Sequence, residues 1–514
     1  MPAIQGWAVC RSRPSFEQSR PRQKSTQADV EEVTMTTTGE QRISLEGDAV
    51  VEHRTVPVVG EFDVIVVGGG CAGIVAGIAA ARSGAKTLLI EASSFLGGEI
   101  THGYQLNFGQ PSFFHARKQL IRGITGEIVT DLVRMGGFIR TDGSSPVNPE
   151  MFKHLALKKL IEAGAEVRLY TPFSDAIVEN NAIRGLVVEA KAGRQALLAK
   201  RIVDCSGDAD VAARAGVPFE IGRESDHRVQ PLNMTFMLGG VDIDAVIAYV
   251  KAHPDQFGMG LNRTILQEGV RPAIRVTGFF DITRRYADDY GLKVQYTRFG
   301  TVPAGDGKQL VYVNMPRAIH YDPLDPADRT RADLMLREQL LSVHRFLTDH
   351  IPGFAKSFIV TTSPWVAIRE SRRIVGEYVL DAKEILAGKT FDDAIFRSAI
   401  AFAGSGHPHP VDGEEGAEGS TYEFAEKEWH EYEVPYGVVV PKEIDNLLVA
   451  GRCYSATHGG LGLAKSVPVM MAAAQAAGTA AALSMQADVT PRALDVKALQ
   501  HRLVADGVYL PNVG

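Results

Sequence analysis

Hydrophobic positions alternate between short unbroken runs and helical spacing. Val64 to Val67 is an apolar run, the pattern of a strand buried on both faces. Ile74, Val75, Ile78 and Ala81 follow at helical spacing, and Gly84 stops them. Thr87 to Ile90 is a second run, ending in Glu91. Asn148-Pro149-Glu150 predicts a helix start, with N-cap, proline at N1 and an acid in the first turn. Phe152, Leu155, Leu157, Leu160 and Ile161 give that helix an apolar face. Another helix is predicted near Gly126 to Met135. Glu166 to Tyr170, Ile183 to Ala190 and Ala196 to Cys205 are predicted strands, the last two joined by a turn at Lys191 to Arg194. Asp204 to Asp210 then leads into a short Ala-rich helix ending at Gly216.

From residue 217 to about 435 the texture changes, with more Pro, Gly, aromatic and charged residues. Leu334 to Phe346 is a predicted helix, and Arg369 to Arg373 opens a further segment. The first pattern returns at Leu447 to Ala450, a predicted strand, followed by a Gly451-Arg452 turn and a helix over Val467 to Leu483. Pro491 to Asp506 is predicted as a capping helix. The fold class is α/β. The expected organisation is a nucleotide-binding domain over 59–216, a substrate-side domain over 217–435, a return over 436–490 and a tail over 491–514. Residues 1–58 are expected to lack a packed core, and Met35 is a candidate start.

Candidate chemistry sits between the first strand and helix. Gly68-Gly69-Gly70-Cys71-Ala72-Gly73 is G-x-G-x-x-G, with Glu91 about 20 residues on. Gly68 permits the tight turn, Gly70 lets backbone approach a pyrophosphate, and Gly73 lets helix and strand pack closely. The helix N-terminus carries partial positive charge, which suits phosphate. Glu91 suits the hydroxyls of an adenosine ribose and would repel a 2′-phosphate. Gly97-Gly98 lies in a loop where bare backbone could run along a cofactor.

Charge and cysteine content narrow the classes. A net charge of −7 gives no basic face for nucleic acid. The four cysteines, Cys10, Cys71, Cys205 and Cys453, form no C-x-x-C pair, which argues against a disulfide framework, a zinc site or an iron–sulfur cluster. A reducing, cytoplasmic location is the expectation. The Ala-rich run Val467 to Leu483 contains Gln475, Gly478 and Thr479, so it is expected in a core rather than a membrane.

These blocks together resemble the FAD-dependent oxidoreductase family with a glutathione-reductase-type FAD fold, related to fumarate reductase flavoproteins. The resemblance rests on DVIVVGGGCAG with Glu91, FLGGEITHG and DCSGDADVAARAGVPFEIGRE. It continues through PLNMTFMLGGVD, IRESRRIVGEYVL, VPYGVVVPKEIDNLLVAGRCYSATH and VPVMMAAAQAAGTAAAL. It implies a Rossmann-like, three-layer FAD domain, with a mostly parallel sheet plus β-meander and an inserted α+β substrate domain. FAD is the implied cofactor. The adenosine end is assigned to Gly68, Gly70, Cys71, Ala72, Gly73 and Glu91; Gly97, Gly98 and Thr101 to the pyrophosphate and flavin side. Backbone near Phe173 is assigned to adenine, Gly207 and Asp208 to the adenosine half, and Gly451 and Arg452 to the ribityl and pyrophosphate. The helix starting at Ser466-Val467 would aim at the flavin N1/C2 carbonyl. Two positions depart from the family, Lys465 where Arg is usual and His102 where many members have a small residue; both would face the flavin or substrate, Lys465 on the cofactor side.

Oxidation at flavin requires a proton acceptor, and histidine is the commonest. His409 and then His407 are the first candidates, with solvated loop histidines as the competing reading. His102 and His458 lie in cofactor-side loops and could act, orient the flavin or cap backbone. Arg369, Arg372 or Arg373 could anchor a carboxylate or oxyanion, while an internal salt bridge with Glu370 or Glu377 competes. The expected activity is hydride transfer between a small organic substrate and flavin N5. Oxygen, a quinone or a partner protein would take the electrons, and homo-oligomers are allowed. The alternatives are an FAD/NAD(P)H-dependent aromatic hydroxylase and a non-catalytic FAD-binding subunit.

Overall fold

The computed structural model describes residues 42–109, 114–115, 118–141, 145–259, 273–292, 296–402 and 428–513. The chain divides into two units, Met1–Thr55 and Val56–Gly514. In the first, Arg42–Glu46 pairs antiparallel with Ala49–His53 around Gly47, which has φ +63°. Its apolar side chains are open to solvent, Leu45 being 76% exposed. The stretch expected to be coreless thus contains a hairpin with no buried face among its described residues.

The second unit is mixed α/β. Strand β1 (Val58–Val67) feeds α1 (Cys71–Arg82), which returns as β2 (Thr87–Ile90). Helix α2 (Pro149–Glu162) follows, with the Asn148 side chain accepting from the Glu150 and Met151 N–H groups as its cap. Then come β3 (Glu166–Arg168), β4 (Phe173–Glu179), β5 (Ala182–Ala190) and β6 (Gly193–Asp204). These strands form one sheet in the order β3-β2-β1-β6-β5-β4. β1, β2 and β3 run parallel, and β6 joins β1 in parallel. The first half of β6 pairs antiparallel with β5, making a meander with β4.

A second sheet is wholly antiparallel. It comprises β7 (Phe236–Gly239), β8 (Phe257–Met259), β9 (Arg275–Gly278), β10 (Thr297–Gly305), β11 (Lys308–Val313) and β12 (Phe358–Thr362), ordered β8-β9-β10-β11-β7-β12. Helix α3 (Pro326–His350) buries Leu336, Leu340, Val343 and Phe346 in the core of that sheet. It is longer than the Leu334 to Phe346 pattern because Asp325 caps it and Pro326 starts it. Its first turns are mostly polar and partly exposed, so apolar spacing alone misses them.

The chain then returns. β13 (Leu447–Val449) adds in parallel to the far end of β6, and α4 (Val467–Gln486) lies almost wholly buried against α1. By length and apolar character α4 could cross a membrane, yet 94% of its apolar window is buried inside the fold. The first sheet is therefore covered on both faces. Val64 and Val66 face the core shared with α1 and α4, while Ile65 and Val67 face the opposite core.

The 217–435 segment is not uniform. Its second core is confined to residues 232–368. Ile385, Phe396, Tyr432 and Val434 instead belong to the first core, the one that also holds α4. In the segment opened by Arg369, the strand Arg372–Ile374 pairs antiparallel with Phe219–Ile221.

Candidate functional site at the convergence of two glycine loops

The turn after β1 is built from backbone. Gly68 has φ +95°, and a Cβ there would meet the Cys205 carbonyl oxygen at 2.6 Å. A Cβ on Gly73 would lie 1.8 Å from the Gly68 oxygen, so helix and turn are in direct contact. Gly69 N–H donates to Glu91 Oε2 at 2.6 Å, and Ser93 N–H donates to Oε1 at 2.8 Å. Glu91 thus ties the end of β2 to the glycine turn and keeps further acceptor capacity. Phe173 begins β4 close by. The preceding segment is held to Glu91 and Ser93 by Thr171 and Tyr170 backbone bonds of 2.9 and 3.0 Å.

The second loop meets the first. A Cβ on Gly98 (φ +50°) would lie 2.8 Å from the Gly70 Cα, whereas a Cβ on Gly70 would approach only Gly98, at 3.8 Å. Two stretches of bare backbone therefore face one another at the start of α1. That helix has no side-chain cap and no acid in its first turn. Its first helical bond comes from Ile74 N–H, so the Cys71, Ala72 and Gly73 N–H groups have no intrahelical acceptor. Cys71 Sγ donates to Gly97 O at 3.0 Å, and burial pushes its thiol up to about 12. Thr101, fully buried, closes the loop by donating to Leu96 O at 2.8 Å.

His102 is buried behind this loop. Nε2 lies 2.8 Å from Ser93 Oγ and Nδ1 3.3 Å from Gly98 O. Its ring stacks on Phe95 and leans on Trp365, each 4.3 Å away. Burial lowers its pKa more than Glu91 raises it. Both ring nitrogens are thus engaged with the loop itself.

A charged web joins the end of β6 to the turn after β13. Arg452 donates to Glu99 at 3.0 Å and to Asp208 at 2.6 Å, and Ser371 Oγ donates to Asp208 at 2.5 Å. Gly207 (φ +83°) leaves room, since a Cβ there would touch the Arg452 guanidinium at 3.4 Å. Gly451 (φ +101°) stands against Ala72, with its added Cβ 3.4 Å from the alanine Cβ. Burial pushes Asp208 up, but Arg452 and Ser371 outweigh it and hold the carboxyl below its usual range. Glu99 stays raised, burial outweighing Arg452 and Arg369.

A second web was not legible in the sequence as a unit. Glu370, fully buried, is bridged by Arg373 and by His458, whose Nδ1 lies 2.8 Å from Oε1. Gln230 N–H donates to the other Glu370 oxygen at 3.2 Å. His458 opens a short helix capped by Thr457, and its N–H donates to Glu224 at 2.9 Å. Arg369 Nε donates to Asn233 at 3.0 Å. Of the competing salt bridges, Arg373–Glu370 is formed, while Arg372 reaches Asp210 at 2.5 Å. Lys465 donates to Gln230 Oε1 and, at 3.3 Å, to Arg369 O. Its side chain is partly buried. Burial, then Arg369, pull its pKa well below the usual lysine range. Ser466 next caps α4 without a side-chain bond to it, followed by Val467 and Pro468.

The structure thus brings together Gly68 to Gly73, Glu91, Gly97, Gly98, Thr101, Gly207, Asp208, Gly451 and Arg452. His458, Arg369 and Lys465 share the neighbouring web. His407 and His409 lie outside the described residues. Glu99, Gln230, Asn233 and Glu370 were missed as site residues. For Gln230 and Asn233 the available signal was a polar residue among apolar neighbours; Glu370 stands among arginines and Ser371, where a salt bridge was the reading on offer. Beyond this web, Glu220, Gly222, Glu224, His227 and His320 help line a cavity of about 660 Å³.

A family model described as FAD dependent oxidoreductase matches residues 63–503. The chain is 39% identical over 127 residues to the thiamine thiazole synthase of Aeropyrum pernix. That stretch is 24% of this chain and 43% of that protein, so the chain spans less than half the length of this curated relative. Among solved structures, p-nitrophenol 4-monooxygenase from Pseudomonas putida DLL-E4 is 11% identical with a TM-score of 0.43, covering 87% of this chain and 85% of its own. A geranylgeranyl bacteriochlorophyll reductase-like protein from Thermoplasma acidophilum is 14% identical with a TM-score of 0.39, covering 88% and 94%.

Proposed function

Because the chain belongs to the FAD dependent oxidoreductase family and takes FAD as its cofactor, we propose that it oxidises or reduces a small organic substrate. When bound, FAD supplies the redox chemistry, exchanging hydride at flavin N5 with a substrate carbon. The observation that carries the reading is the bare-backbone meeting of Gly70 and Gly98 over the uncapped start of α1. Donors without intrahelical acceptors, beside a Gly98 position that admits no side chain, suit a pyrophosphate.

Other features support the same placement. Glu91 stands at the end of β2 with acceptor capacity for a ribose, and backbone around Phe173 runs beside it. Gly451 brings the return segment against α1. Ser466 Oγ is buried without a partner at the start of α4, a polar group left for a ligand. The parallel strands with the β4–β6 meander agree with a Rossmann-like, glutathione-reductase-type FAD domain related to fumarate reductase flavoproteins. In that reading the second sheet forms the inserted substrate side.

In this reading the residues near Lys465 orient substrate, and the Glu370–His458 pair holds a proton between carboxylate and imidazole. The cavity beyond provides substrate space, and one of its lining residues, Gly222, is held where its carbonyl accepts from Arg373 at 2.9 Å. Electrons pass on to oxygen, a quinone or a protein partner.

The test is direct. The purified protein is expected to be yellow, and its colour to bleach anaerobically with one member of a metabolite panel. A colourless protein that cannot be reconstituted with FAD would falsify the reading. Bleaching by NADPH alone would move it to a hydroxylase.

A further inference from the structure

We infer that the open edge of the second sheet, strand β12 with the flank of α3, is a dimer interface that takes a second copy of this chain. This surface carries none of the residues assigned to cofactor or substrate.

β12 ends its sheet, and among the described residues only β7 pairs with it. Its sequence, Phe-Ile-Val-Thr-Thr, holds no charge and no proline. Free edges commonly carry one or the other, because a bare row of N–H and C=O groups is a template for another chain. The guard here is a bulge: Val360 has no partner across β7, where the register shifts between Met237 and Leu238. A bulge bends and twists an edge without making it polar. Phe358 and Val360 both remain exposed.

α3 runs beside this edge in the opposite direction. Its Arg337 donates to Thr362 Oγ1 at 3.4 Å, at the strand's end. His344 Nε2 lies 3.3 Å from Ser357 O, at the strand's start. Leu334 and Leu341 stand three residues before and four after Arg337, hence on the same flank of the helix. They are 63% and 58% exposed. The edge is thus bordered by apolar side chains from both strand and helix.

Charge selects the partner. Asp333 accepts twice from Arg337, at 2.7 and 3.2 Å, which holds a carboxylate near the end of β12. Lys356, exposed and two residues before the strand, makes no ion pair among the described residues. When two such strands meet antiparallel about a two-fold axis, the start of each lies against the end of the other. Lys356 of each copy then comes to Asp333 of the other, twice by symmetry. Leu341 and Val360, midway along the strip, meet their own copies near the axis. A strongly acidic or basic partner would find the middle of this strip neutral. The same surface turned through 180° matches it along its whole length.

The experiment uses the full chain carrying FAD. Light scattering at rising concentration is expected to reach twice the 55.6 kDa of one chain. Leu341→Lys and Val360→Lys, made together, are expected to give a monomer with unchanged flavin content. Lys356→Glu alone, or Asp333→Lys alone, sets like charges against each other and is expected to weaken the dimer about 10-fold. High salt is expected to shrink that effect. Reversing both charges in one chain restores the dimer. Mixing the two single variants in equal amounts does the same, because each then meets its opposite. The charge variants lie at the surface, so they decide the matter even where Val360→Lys does not fold. A monomer at every concentration would leave the strip to another protein and overturn the inference. A dimer indifferent to the Leu341 and Val360 changes would overturn it too, as would single charge reversals that leave the dimer unweakened or that do not recover when combined.

Discussion

Individual residues carry two kinds of information here, geometric and electrostatic. Gly98 is geometric: at φ +50° an alanine pays about 1–2 kcal/mol for the left-handed backbone, and its Cβ has Gly70 backbone at 2.8 Å. Gly98→Ala is expected to purify with much less flavin per mole of protein, read from visible absorbance; undiminished flavin would detach this loop from the cofactor. His102 is electrostatic. Its ordinary value is 6.5, and burial holds the folded value lower. The unfolded chain therefore binds more protons just below pH 6.5. The contribution of His102 to stability is complete above that pH and lost as pH falls through the folded value. His102→Phe is expected to flatten the fall in Tm between pH 7.5 and 5, and parallel curves would show that the ring titrates normally.

At the scale of elements, the joint between α1 and α4 matters most. A Cβ on Gly478 would lie 2.2 Å from the Ala76 carbonyl oxygen, so the two helices touch backbone to backbone. Gly478→Ala has no flexible neighbour to displace and is expected to cost about 3 kcal/mol, seen as a lower urea midpoint. The elements themselves were largely legible. β1, α1, β2, α2 and α4 fall close to where apolar runs, helical spacing and the Asn148-Pro149 cap put them. The short strands of the second sheet were not, because several are three or four residues long and lack a period. The strand Arg372–Ile374 follows from its pairing with Phe219–Ile221, a contact no local pattern announces.

Across the whole molecule, the Glu370–Arg373–His458 web links the return segment to the strip feeding the second sheet. Arg373 is 1% exposed and also donates to Ala456 O and Gly222 O, each at 2.9 Å. Arg373→Met leaves Glu370 buried with fewer partners, and the expected cost is about 3–5 kcal/mol. A drop in Tm accompanied by weakened FAD retention is the expected result. An unchanged Tm would mean that water replaces the guanidinium.

The sequence by itself determined the strand–helix–strand unit around Gly68, the acid at Glu91 and the strand at Leu447. Each is written in neighbouring residues, where side-chain period, caps and glycine act on local backbone. Only the tertiary structure decided which polar side chains meet. Glu370 and His458 are 88 residues apart, and Lys465 and Gln230 are 235 apart. Such pairs depend on the path of the whole chain through two cores. Their individual residue types announce that a partner is needed without saying which one.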